Sequence, residues 1–400
     1  MWKWTDDNNI KGIIIDVDSL SDESINNIFR QIIPNIKIFE VSHHRRKPFN
    51  SHHIAIEYVD VMELLYGILS TNNMDSTQLI SISNDYWFID EMIKYHIGTI
   101  SYIKYELDKM YGIPDFLTNN IEKILSGIQG GYYAEQIVSN NTKSIMRLLE
   151  RKTTLFLDNN EEKNLDLYFG GRYFPVNRNY FLDDALSVVI RNFKRKYNPF
   201  VDQYYDLVIS NLVQKESIDY VTYVPLKPND IKEKKFDRFA SLTLPKCKEN
   251  GLIYQKLIKC TKSFIQKQDN YYGRSANVKD AFVVTEEVKD KTIVVIDDLY
   301  TTGTTIREVA SILYQKGAKK VIAVFMGINQ KTESTSLKYK HLKCLQCGND
   351  MYLYVNGTNG SLFFGCINRD KTLNYNEGVQ QLKKVNVFDV EDILDLEDSY

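Results

Sequence analysis

Two adjacent carboxylates run into a hydroxyl-rich turn at Asp297-Asp298-Leu-Tyr-Thr301-Thr302-Gly303-Thr304-Thr305, the stretch of this chain best suited to chemistry. Carboxylates do not bind phosphate directly, but their acceptor oxygens suit the hydroxyls of a ribose or a metal-bridged sugar. The turn supplies the complement: Gly303 permits close approach or a positive φ, the threonine hydroxyls donate, and backbone N–H groups at the positive end of a following helix hold a phosphate. Together the two halves point to a ribose 5-phosphate. To be positioned, they need a strand that ends at the acids and a helix that begins after the turn. The unbroken apolar run Ile293–Ile296 reads as a parallel strand covered on both faces, and 306–316 alternates apolar and polar residues with helical spacing.

A second constellation lies near the amino terminus. The strand-like Gly12-Ile-Ile-Ile-Asp16-Val-Asp18 ends in alternating carboxylates, and Ile36–Ser42 follows as a second strand. After Lys47 come an amphipathic stretch over 54–69 and then Leu79-Ile-Ser-Ile-Ser-Asn-Asp85, with Asp90 beyond. The histidine pairs His43-His44 and His52-His53 lack a regular i, i+4 ligand spacing and read as loop or surface residues.

The first segment resembles the phosphoribosyl pyrophosphate (PRPP) motif of type I phosphoribosyltransferases, in which four apolar residues precede two acids and a Thr-Gly-Thr loop. Further blocks resemble the ComF-like branch: Tyr168-Phe-Gly-Gly-Arg-Tyr-Phe, Tyr220-Val-Thr-Tyr-Val-Pro-Leu-Lys227, Lys235-Phe-Asp-Arg238-Phe where relatives usually show Arg-Gly-Phe-Asn, and Arg274-Ser-Ala-Asn277-Val-Lys-Asp-Ala-Phe. The resemblance implies Mg2+ and PRPP as co-substrate, with Asp297 and Asp298 at the reacting sugar and Thr301, Thr302, Gly303, Thr304 and Thr305 at its phosphate. It also implies Lys227 at pyrophosphate, and Arg274 and Asn277 near the PRPP site. Transfer in this family is a substitution at the anomeric carbon that needs positioning and charge stabilisation, with no side-chain nucleophile. The acceptor is expected to be a base or an amine. The alternative is a regulator that binds PRPP or a nucleotide without turnover.

The amino-terminal order resembles the haloacid dehalogenase (HAD) superfamily. That resemblance implies Asp16 as phosphoryl-accepting nucleophile, Asp18 as general acid/base, Ser42 and Lys47 as phosphoryl ligands, and a magnesium site drawn from Asp16, Asp18, Asp85 and Asp90. The short interval between Asp18 and Lys47 leaves no room for a large cap there. Dephosphorylation of the transferase product is the expected coupling.

At the carboxyl end, Cys344-Leu-Gln-Cys347 with Cys366 resembles a degenerate zinc ribbon, three thiols where a tetrahedral structural zinc takes four ligands. A chain of 400 residues implies more than one core. The expected class is α/β: two doubly wound three-layer domains, HAD-like over 1–130 and transferase over 165–335, separated by a helical, polar linker over 131–164. A β-rich ribbon over 336–380 and an acidic tail over 381–400 follow. The formal charge of −2 gives no global pull towards nucleic acid, so none is expected as a partner. No apolar run is long enough to span a bilayer. Five cysteines, three of them clustered, and an amino terminus without an apolar signal core favour a reducing cytoplasm. Small-molecule substrates and a homo-oligomer complete the expectation.

Overall fold

A computed structural model describes residues 10–32, 36–44, 47–95, 97–102, 112–122, 130–138, 145–175, 184–262, 278–330, 338–343, 350–355 and 362–366. The chain forms two compact units, one of residues 1–130, 174–184 and 330–400, the other of 131–173 and 185–329. Among the described residues no helix is long and apolar enough to cross a membrane.

The first unit holds β1 (Gly12–Asp16), β2 (Lys37–Ser42), β3 (Ile54–Glu57), β4 (Leu79–Ile82), β5 (Gly98–Ser101) and β6 (Phe116–Leu117), in the order β3-β2-β1-β4-β5-β6. Every pairing is parallel. Side chains of β1 alternate between two cores: Ile13 and Ile15 join Ile25, Ile28, Ile80 and Ile82, whereas Ile14 joins Phe39, Leu65, Ile68 and Met92. A strand buried on both faces has no polar positions to spare, and this explains the unbroken isoleucine run. Helices start at side-chain caps; Asp60 accepts from Met62 N (2.7 Å) and Glu63 N (3.1 Å), and Asp85 from Trp87 N (2.8 Å).

A small sheet of β7 (Gly130–Tyr132), which begins at the unit boundary, and β8 (Ile145–Arg147) precedes the main sheet of the second unit. Its main sheet comprises β9 (Leu149–Phe156), β10 (Glu162–Phe169), β11 (Arg172–Tyr173), β12 (Tyr220–Tyr223), β13 (Ile253–Tyr254), β16 (Thr292–Tyr300) and β17 (Lys320–Asn329). The order is β13-β12-β16-β17-β10-β9, with β11 also on β17. Only β9 runs antiparallel. A separate hairpin pairs β14 (Ile258–Cys260) with β15 (Phe282–Val284). On one sheet face Val294, Ile296, Ile322 and Val324 pack with Tyr204, Tyr205 and Val208 of helix Pro199–Val213.

Within the stretch 131–164 expected as a linker, the described residues 131–138 and 145–164 include strand and helix. β9 alternates buried and exposed positions, Leu149 and Leu155 inward and Glu150 and Phe156 outward, so it serves as an edge strand. The polar run Asp158-Asn-Asn160-Glu is its hairpin turn, with Asn160 at φ 61°. At the carboxyl end β18 (Lys338–Lys343), β19 (Asp350–Val355) and β20 (Leu362–Cys366) form an antiparallel sheet. Cys344 and Cys347 lie outside the described residues, as does the side chain of Cys366. Among the described residues no group of three or more His, Cys, Asp or Glu could hold a metal ion.

Candidate active site

β16 is buried throughout its apolar run and delivers Asp297 and Asp298 at its carboxyl end. Asp298 is buried and Asp297 partly so. The Tyr205 hydroxyl donates to the Asp297 carbonyl (2.7 Å), and Asp298 N–H donates to Asp297 Oδ1 (2.9 Å). Burial, followed by the charge of Asp298 next door, pushes the Asp297 carboxyl well above the ordinary range. Burial acts on Asp298 in the same sense, but the cations Arg238 and Lys194 outweigh it and hold Asp298 below the ordinary range. The two acids therefore differ: one is firmly ionised and the other titrates late.

The turn follows without a break. Gly303 sits at φ 74° as the residue before helix Thr304–Gln315, and that helix has no side-chain cap. Its first N–H groups therefore have no side-chain acceptor at the cap. Gly303 is required twice over, because an added Cβ would run into the ring of Tyr300. Tyr300 in turn packs edge-on against Phe169 (5.2 Å) and Phe325 (5.3 Å). The hydroxyls of Thr302 and Thr304 lie 2.9 Å apart; Thr301 is exposed, and Thr304 and Thr305 are half-buried.

Residues far away in sequence complete the electrostatics. Arg238 Nε lies 3.2 Å from Asp298 Oδ2, Arg238 Nη2 3.8 Å from Asp297 Oδ1, and Lys194 Nζ 3.8 Å from Asp298 Oδ2. Phe239 anchors the arginine: it is buried among Phe193 (5.5 Å), Tyr205 (6.1 Å) and Tyr223 (5.8 Å). Beyond it, Asp202 takes hydrogen bonds from Thr243 N and Leu244 N (both 3.0 Å), and Asp206 from Cys247 N (3.0 Å).

The phosphoribosyl transferase domain family matches residues 250–359, spanning the acids, the turn and β17. The chain carries a phosphoribosyl transferase domain. No curated protein matches the sequence. Among solved structures it is similar to an allosteric regulatory enzyme of purine biosynthesis, at 21% identity over 29% of this chain and 24% of that one, TM-score 0.20. It is also similar to a purine phosphoribosyltransferase from Pyrococcus horikoshii Ot3, at 15% identity over 34% of this chain and 93% of that one, TM-score 0.19. A hypoxanthine phosphoribosyltransferase from Staphylococcus aureus is 11% identical over 38% of this chain and 80% of that one, TM-score 0.19. The chain spans about a quarter, 24%, of the first of these.

Within the second unit, Lys227 follows β12 as the half-buried N-cap residue of the short helix Pro228–Lys232, and burial lowers its ammonium from the ordinary range. Arg274 and Asn277 lie outside the described residues. Arg238, Lys194 and Tyr205 do not stand out as site residues in the sequence. A basic residue beside a family block is a weak signal, and only the fold brings helix Ala185–Phe193 and the loop after β12 to the acids.

In the first unit the structure gathers Asp16, Asp18, Ser42 and Asp85 at the carboxyl ends of β1, β2 and β4. Ser83 Oγ donates to buried Asp16 Oδ2 (2.6 Å), Ser42 Oγ to Asp18 Oδ1 (2.7 Å), and His43 N–H to Asp18 Oδ2 (2.7 Å). Burial raises the Asp16 carboxyl despite the Ser83 and Ser19 hydrogen bonds. Asp18 is exposed; burial acts to raise its carboxyl, but the Ser42 and His43 hydrogen bonds together outweigh it and bring it below the ordinary range. Asp85 N–H donates to Ser83 Oγ (2.9 Å), so one serine ties Asp16 to the helix start. Buried Asp90 pairs with Lys94 (3.3 Å) along its own helix, and Lys47 is exposed in the loop after β2. Glu40 and His53 were not foreseen: His53 Nδ1 lies 2.6 Å from buried Glu40 Oε1, which also accepts from Phe49 N–H, and the pair closes the loop that carries Lys47.

Proposed function

We propose that the transferase domain binds PRPP and passes its phosphoribosyl group to a nitrogen of a base or amine. The bond from the anomeric carbon to pyrophosphate breaks, a carbon–nitrogen bond forms, and the acceptor's proton leaves to solvent. Asp297 and Asp298 accept the ribose hydroxyls, and the turn with the helix N-terminus holds the 5-phosphate. One observation carries the reading: a buried strand ends in two acids and passes directly through a left-handed glycine into an uncapped helix. Lys227 is the candidate cation for pyrophosphate, with Arg274 and Asn277 as further PRPP contacts. Mg2+ would supply charge neutralisation on the leaving pyrophosphate; the acids themselves are already matched by Arg238 and Lys194.

The first unit reads as HAD-like phosphoryl chemistry, supported by the parallel order around β1 and by Asp16, Asp18, Ser42 and Asp85 at neighbouring strand ends. Asp16 is the nucleophile, Asp18 the acid/base, and Ser42 and Lys47 steady the phosphoryl group. A magnesium ion here would draw on Asp16, Asp18 and Asp85, which as they stand do not make a three-ligand group, while Asp90 is engaged by Lys94. Its task is to remove a phosphate from the transferase product. The carboxyl-terminal sheet is a small ribbon, with zinc on Cys344, Cys347 and Cys366 as the finer form of that reading.

Phosphorus NMR of the full chain with PRPP, Mg2+ and a small-molecule extract tests the reading beside an Asp297→Asn, Asp298→Asn variant. Extract-dependent pyrophosphate release confined to the wild type supports transfer. PRPP bound tightly but left intact supports the second reading, a binding regulator, which the internal neutralisation of the acids favours.

A further inference from the structure

We propose that Arg238, assisted by Lys194, is a specificity residue that closes the acid pair to bare divalent cations and releases Asp298 only to a ligand bringing anionic oxygens of its own. This rests on reading the site as a sugar-phosphate site and adds which ligands it refuses.

Charge is the first observation. Two carboxylates would attract a hard dication, but Arg238 and Lys194 both lie within 4 Å of Asp298 and Arg238 also reaches Asp297, at 3.2, 3.8 and 3.8 Å. A bare cation must displace a half-buried guanidinium and leave it without a counter-charge, an unfavourable exchange. A polyphosphate removes that cost, since its oxygens take the guanidinium as the acids turn to sugar hydroxyls.

Incomplete satisfaction is the second. Arg238 Nε and Asp298 Oδ2 are both buried, face each other at 3.2 Å, and neither makes an aligned hydrogen bond among the described residues. Such atoms retain bonding capacity that a correctly shaped ligand fills. Phe239 and the Tyr254 hydroxyl on its carbonyl (2.6 Å) fix the backbone, so the exchange is a swing of the arginine side chain over the Phe239 ring, where it already lies 4.9 Å from the centroid.

Mn2+ binding to the full chain, followed by electron paramagnetic resonance on an Asp16→Asn background to hold the first unit constant, tests the proposal. Without PRPP, Arg238→Gln should bind Mn2+ at least about tenfold more tightly than the parent. Lys194→Gln, altering a more exposed cation, should gain less, and Arg238→Lys should stay near the parent. Equal Mn2+ affinity in the parent and Arg238→Gln, with both folded by circular dichroism, overturns the proposal. If Arg238→Gln does not fold, no gain in Lys194→Gln does so. Calorimetry of the parent with Mg2+ and PRPP separates the two ideas: absence of PRPP binding removes the sugar-phosphate reading, whereas the Mn2+ comparison judges Arg238 alone.

Discussion

The Tyr205 hydroxyl donates a 2.7 Å hydrogen bond to the main-chain carbonyl of Asp297, so a buried helix side chain holds the strand end that presents the acids. Tyr205→Phe keeps the ring in its aromatic cluster and removes only this bond. The expected loss is about 1 kcal/mol of stability, with weaker PRPP binding because the strand end loosens. Chemical denaturation and calorimetry on one preparation check both effects.

Gly303→Ala should be the most damaging small substitution in the turn. The left-handed φ disfavours any side chain, and the new methyl meets a tyrosine ring that two phenylalanines hold in place. A loss of about 1–3 kcal/mol and of measurable PRPP binding is expected. Thermal unfolding with and without PRPP measures both, and a variant that keeps ligand-induced stabilisation would refute the assignment.

The raised Asp297 carboxyl gives ligand binding a pH dependence of definite sign. Accepting two donors from a sugar favours the ionised form, so PRPP affinity should strengthen as pH rises through the folded-state pKa. Stability moves oppositely: the folded chain keeps a proton that the unfolded chain has lost, so this contribution is present at low pH and disappears as pH rises through the raised value. Binding titrations from about pH 6 to about pH 8 should show the trend in the wild type and not in Asp297→Asn.

Glu135 and Arg172 form a buried bidentate pair, with Nε to Oε1 at 2.9 Å and Nη2 to Oε2 at 3.0 Å. Arg172→Met strands the glutamate and should cost about 3–5 kcal/mol, much of it recovered by Glu135→Leu in the same chain. Burial acts to raise the Glu135 carboxyl, but Arg172 prevails and lowers it. The pair's contribution therefore stands above the unfolded carboxylate pKa and fades as pH falls through the folded one. Denaturant midpoints against pH compare the single and double variants.

Asp16→Asn should leave pyrophosphate release intact and let a phosphorylated product accumulate. Product analysis by phosphorus NMR decides; an unchanged pattern removes the coupling of the two units.

Local runs were legible where burial is complete. Gly12–Asp16 and Ile293–Ile296 declare buried parallel strands because no polar residue fits either face, and the acids after them mark strand ends. The edge strand Leu149–Phe156 was not legible: Glu-Arg-Lys-Thr-Thr reads as linker until a neighbour covers one face of it. The site divides the same way. Asp297, Asp298 and Gly303 are contiguous and speak together, whereas Arg238 and Lys194 reach the acids through an aromatic cluster built from four separate segments. Nothing in their own neighbourhoods announces that meeting.

The chain passes from one unit to the other at 130/131, 173/174, 184/185 and 329/330. Phe174 is buried with Ile89 and Ile93 of the first unit, two residues after Arg172 closes its ion pair in the second. No single protease cut, and no truncation from either end, can release either body whole. Independent expression of the halves would need a circularly permuted or spliced gene, and during synthesis part of the first unit emerges only after residue 329.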